Sequence, residues 1–157
     1  MKTFVSYAAE DRMLAEEVSL ALMGADHDVF IDRTKLEVGD DYHARIRQAI
    51  VDCDVFVFLA SRASLSAGCY TLTELKLART KWPHPRGHLL TVRLADVSFA
   101  EMPAYLKSVT VLEPEGNVAA EVLEAMANIT FDSTGGSSRT KRLALAMLAG
   151  AALSTQD

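Results

Sequence analysis

The chain has 157 residues, 50% of them hydrophobic and 24% charged, enough for one domain with a packed core and too apolar for a disordered chain. A net charge of −5 excludes a general binder of nucleic-acid backbone, which needs basic surface to release counterions. Cys53 and Cys69 make neither a disulfide framework nor a metal-ligand spacing, so a reducing cytosol is expected, and "MKTFVSYAAEDR" lacks the apolar run of a signal peptide.

In chain order, short β-branched or aromatic runs alternate with segments of helical period. "TFVSY" (3–7) reads as a buried strand. "EDRMLAEEVSLALM" follows, with Leu14, Val18, Ala21 and Leu22 spaced as one apolar helix face. "HDVFID" (27–32) is a second strand, and "GDDYHARIRQAIVD" a second helix through Tyr42, Ile46, Ala49 and Ile50, with Asp40 or Asp41 as its cap. "DVFVFLA" (54–60) is almost continuously apolar, as a central parallel strand covered on both faces should be. A helix over "YTLTELKLA" comes next, then a strand "HLLTVRLA" (88–95), a short "EMPAYLKS", a strand "VTVLE" (109–113) and a helix from about Asn117 to Ile129.

This β-α alternation implies an α/β fold, with parallel strands joined by right-handed crossovers and helices on both faces. Such sheets bind ligands beyond the carboxyl ends of their strands, so the loops of interest are 7–11, 32–41 and 60–70. Just past the third of these, Glu74 places a carboxylate among apolar neighbours, one turn after Tyr70. Charges in such company are avoided or put to use; the plain alternative is a solvated helix glutamate. Cys69 reads as a small buried filler, since no histidine stands near it in sequence. His27, His43, His84 and His88 show no metal-ligand spacing, and no metal is expected.

After Ile129 the composition changes. The domain is expected to cover 1–130, with "FDSTGGSSRT" (131–140) a flexible linker of Gly, Ser and Thr. Residues 141–157 form an apolar tail behind a basic flank. Its eleven-residue run Leu143–Leu153 falls short of the roughly 20 residues that span a bilayer. Three readings stand: the start of a further element of a longer protein, a truncated transmembrane helix that would anchor the full-length protein, or a docked terminal helix.

Three of these stretches, in order, resemble the Toll/interleukin-1 receptor (TIR) domain. "FVSYAAEDR" is similar to the family's first box. "VFIDRTKLEVGDDYHARIRQAI" is similar to its second strand, the BB loop ending near Gly39, and the helix that follows. "DVFVFLASRASLSAGCYTLTEL" is similar to its third strand, serine-rich loop and aromatic motif ending in Glu-Leu. The style, with "YLKSVTVLEPEGNVAAEV" at the end, is closer to bacterial members. The resemblance implies a flavodoxin-like sheet of five parallel strands in the order 2-1-3-4-5. It also implies membership of the family's NAD-cleaving branch, in which a glutamate of the third helix, here Glu74, is required to break the nicotinamide–ribose bond.

Substrate contacts implied in the same way are Tyr7 and Ala8 after the first strand, Asp32, Lys35, Leu36 and Gly39 in the BB loop, Tyr42 and Tyr70. Tyr42 and Tyr70 stand where the family commonly has tryptophan, and each has a packing role as its alternative. Asp32 and Lys35 have simple loop charge as theirs. NAD is then the substrate, with no further cofactor. The partners are other TIR domains, through the BB loop, in a cytoplasmic antiviral defence system. A non-catalytic adaptor or host-mimicking effector, working by TIR–TIR contact alone, is the rival class.

Overall fold

The computed structural model describes residues 1–31 and 41–133. Five strands, β1 (Lys2–Ser6), β2 (Asp28–Phe30), β3 (Val55–Ala60), β4 (Leu89–Arg93) and β5 (Val111–Leu112), form one parallel sheet in the order 2-1-3-4-5. The expected order is therefore observed. All six residues of β3 are buried, and their alternation divides them between two cores. Val55, Val57 and Leu59 face one layer, while Phe56, Phe58 and Ala60 face the other.

The first layer holds α1 (Arg12–Gly24) and α4 (Val118–Ser133), through Ala15, Val18 and Leu22 of the one and Val122 and Met126 of the other. The second holds α2 (Tyr42–Asp52) and α3 (Tyr70–Lys81), through Ile46, Ile50, Leu75 and Ala78. On that side a row of rings crosses the strands. Phe4 stacks on Phe30 at 5.4 Å and on Phe56 at 5.3 Å, and Phe56 on Phe58 at 6.4 Å.

Two details differ from the sequence reading, and one stretch it left unassigned takes a definite form. The buried stripe of α1 is Ala15, Val18, Ser19 and Leu22, so Leu14 and Ala21 stand at its margins. The "EMPAYLKS" stretch makes no α-helix. Two 3-10 turns, Phe99–Glu101 and Leu106–Ser108, carry the chain from β4 to β5. Pro103 lacks an amide hydrogen and drives the preceding residue extended, and Met102 accordingly has ψ 142°. Finally, α4 continues to Ser133, three residues into the expected linker; the remainder of that linker and the tail lie outside the described residues. Among the described residues no helix is long and apolar enough to cross a membrane.

Candidate active site

α3 begins at the carboxyl end of β3 after a loop rich in serine. Those hydroxyls fasten the backbone. Ser64 Oγ donates to Leu59 O at 2.8 Å and accepts from Ser61 N at 2.8 Å, while Thr71 Oγ1 donates to Ser64 O at 2.5 Å. Ser61 Oγ reaches across to Asp11 Oδ2 at 2.5 Å, tying this loop to the one after β1. Burial raises the Asp11 carboxyl above its ordinary range; the Ser61 bond opposes that, and the charges of Asp96 and Glu10 add to it. The start of α3 is thus held from both sides.

The inward stripe of α3 is Thr71, Glu74, Leu75 and Ala78, at helical spacing. Glu74 therefore points into the core and is only 1% exposed, contrary to a half-exposed or solvated position. Its Oε1 accepts a hydrogen bond from Ser6 Oγ at 3.3 Å, across 68 residues of sequence. Ser6 is the last residue of β1, on the same side of the sheet as Phe4, so the carboxylate lies at the carboxyl end of the sheet. Burying a carboxylate is costly without hydrogen bonds, and such acids are concentrated at functional sites.

One turn earlier, Tyr70 is half-buried. Its ring meets Tyr42 edge-on, with centroids 5.3 Å apart at 61°, and its hydroxyl lies 2.7 Å from His43 Nδ1. Tyr42 and His43 open α2, whose first turn is capped by Asp41, with Oδ1 accepting from Ala44 N at 3.2 Å. Asp41 is one of the two capping residues expected from sequence. Cys69 is the N-cap residue of α3 and is half-buried, so it is less enclosed than a core filler.

Of the expected site residues, the fold brings Tyr42 and Tyr70 into contact one turn from Glu74. Tyr7 packs in the opposite core, with Val5 and the α1/α4 layer, because it stands one residue out of phase with Ser6. Ala8 is buried at the start of a 3-10 turn and presents only a methyl group. Asp32, Lys35, Leu36 and Gly39 lie outside the described residues. Two residues not foreseen are Ser6 and His43. Strand parity alone pointed to Ser6, and no local pattern pointed to His43.

A cavity of about 580 Å³ opens elsewhere, between β4, β5 and the second half of α4, with Leu90, Val111, Ala125 and Ile129 in its lining. It shares no residue with the site around Glu74. The carboxylate at its edge, Glu113, is exposed and paired with Arg93 at 3.0 Å, so among the described residues its lining holds no buried carboxylate comparable to Glu74.

A family model for the TIR domain matches residues 3–125. Among solved structures, a metazoan TIR-STING receptor from C. gigas aligns with a TM-score of 0.66 and 18% identity, over 79% of this chain and 39% of that one. The CMP N-glycosidase BcmB of Clostridium botulinum aligns with a TM-score of 0.53 and 20% identity, over 81% of this chain and 98% of that one. The chain thus spans well under half the length of the TIR-STING receptor, and at these identities the likeness is one of fold. Comparison with curated proteins finds no match.

Proposed function

The chain belongs to the TIR-domain family, and from that premise we propose that it cleaves the nicotinamide–ribose bond of NAD with Glu74 as the catalytic carboxylate. The observation that carries this reading is the burial of Glu74 in the core stripe of α3, bonded to Ser6 at the carboxyl end of β1. A pure scaffold would be better served there by an apolar residue.

The chemistry needs one well-placed anion. As the C1′–N bond breaks, nicotinamide leaves with the bonding electron pair as a neutral molecule, and positive charge develops over ribose C1′ and its ring oxygen. The Glu74 carboxylate stabilises that charge and accepts from ribose hydroxyls. Water adding at C1′ with loss of a proton gives ADP-ribose; attack by an adenine nitrogen of the same molecule gives a cyclic isomer. The leaving group needs no second acid, NAD is the substrate, and no further cofactor enters. A fold neighbour named for splitting the N-glycosidic bond of CMP supports the same bond class.

With Glu74 only 1% exposed, substrate reaches it after a rearrangement, and we place that opening in association between TIR domains. The setting proposed is bacterial antiviral defence in the cytoplasm. A second reading, contact between TIR domains without catalysis, is favoured by one feature. Met13 and Leu20, two turns apart on α1, are 79% and 69% exposed, large apolar side chains that a second domain would cover.

The test is incubation of concentrated protein with NAD, followed by chromatography of the products. Wild type is expected to release nicotinamide, and the near-isosteric Glu74→Gln to lose on the order of a hundredfold or more in rate while keeping its fold and self-association. Equal rates would remove Glu74 from the mechanism. No release from either, even when assembled, would leave the contact reading.

A further inference from the structure

Beside Glu74, the first turns of α2 and α3 are joined by a chain of polar groups that the proposed chemistry does not use. Nδ1 of His43 lies 2.7 Å from Tyr70 Oη, and Nε2 lies 3.1 Å from an Arg47 guanidinium nitrogen. A guanidinium only donates hydrogen bonds and keeps its charge. Nε2 must therefore turn its lone pair to Arg47. That places the ring proton of a neutral His43 on Nδ1, the tautomer being assigned by the bonding pattern. The Nδ1–H then donates to Tyr70 Oη.

His43 and Arg47 are one helical turn apart, so this arrangement is built into α2 itself. Among the described residues, Tyr70 is held at its ring and at its hydroxyl. Tyr42 meets its ring at 5.3 Å, and His43, whose own ring stands at 87° to it, holds its hydroxyl. Residues four apart on a helix share a face, so Tyr70 and Glu74 stand one turn apart on the same side of α3.

We propose that His43, its tautomer set by Arg47, is a positioning residue that holds the Tyr70 ring, one turn before Glu74, in one orientation through the opening of the site, so that the ring serves as a wall for the nucleotide substrate. The proposal rests on the catalytic reading of Glu74. An aromatic ring locked before binding loses no rotamer freedom when substrate arrives, so the benefit appears in binding. An interaction made equally with bound substrate and transition state changes KM and leaves kcat alone.

The experiment compares NAD cleavage by wild type, His43→Leu, His43→Asn, Tyr70→Phe and the His43→Leu/Tyr70→Phe double variant. Loss of one hydrogen bond predicts a KM raised about three- to tenfold in His43→Leu and in Tyr70→Phe, with kcat nearly unchanged. Asparagine places an amide N–H near Nδ1, so His43→Asn should recover most of the loss. Because both residues act through one bond, the double variant should be no worse than Tyr70→Phe alone. Additive losses, or no rescue by asparagine, overturn the proposal.

If wild type releases no nicotinamide, the catalytic reading fails separately, and the His43–Tyr70 unit is judged by long-range ¹H–¹⁵N spectra of the histidine ring. A neutral Nδ1–H tautomer in wild type that is lost in Arg47→Met supports the assignment. An Nε2–H tautomer in wild type overturns it.

Discussion

The two cysteines show how far one side chain depends on its surroundings. Cys53 ends α2, is 4% exposed, and donates from Sγ to Ile50 O at 3.1 Å. Burial pushes its thiol up to about 12, against the opposing pull of the Lys81 ammonium, which donates to Cys53 O and to the last carbonyls of α2. Thiolate is the reactive form, so Cys53 should be inert near neutral pH. Cys69 is half-buried before Tyr70, its sulfur 3.0 Å from Thr71 Oγ1. Native-state iodoacetamide treatment followed by peptide mass spectrometry should therefore find Cys69 modified well ahead of Cys53. In denaturant both should react, and comparable native rates would contradict the enclosed position of Cys53.

Helix α2 carries Tyr42, His43 and Arg47 on its first two turns, so its amino terminus sets the outer part of the site. Asp41 stands extended there, at φ −75° and ψ 99°, and its carboxylate satisfies an amide that the helix leaves without a partner. Replacing it by alanine should cost about 1 kcal/mol of stability. In urea titrations the midpoint should fall with an unchanged slope, because the surface exposed on unfolding stays the same. A midpoint equal to wild type would mean that the cap adds nothing. α4 is closed at its start in a related way, with Asn117 Oδ1 accepting from Ala120 N at 3.0 Å and Glu121 accepting from the Glu115 and Gly116 amides.

Over the whole molecule, the sheet separates two helical layers and its register determines what meets at the site. Thr3 pairs with Val55 and Ser6 with Phe58, so the last residue of β1 stands level with the later part of β3. The row Phe30, Phe4, Phe56 and Phe58 holds that alignment from the α2/α3 side. Phe56 is fully buried at its centre, and Phe56→Ala should cost roughly 3–5 kcal/mol, the usual range for emptying so large a volume. That is a large share of the stability of an ordinary domain, and denaturant unfolding with a much lower midpoint is the expected result. A loss below about 1 kcal/mol would mean that the aromatic row is loosely packed.

Hydrophobic period alone determined most of the architecture. The continuous run of β3, the β-α alternation and the crossover rule led to the parallel sheet, and the position of Glu74 near the head of α3 was readable along the chain. The irregular connection between β4 and β5 follows from Pro103, whose effect on Met102 is local chemistry. Tertiary structure alone decided where Glu74 lies and what it meets. Its burial follows from packing against the end of β1, with Ser6 68 residues away, and the bond from His43 to Tyr70 spans 27 residues. Tyr7 went to the other core for the same reason, since a shift of one residue along a strand reverses the face. Periodicity reports which way a side chain points within its own element. What it meets there is set by strand register and helix packing, which no short stretch of sequence contains.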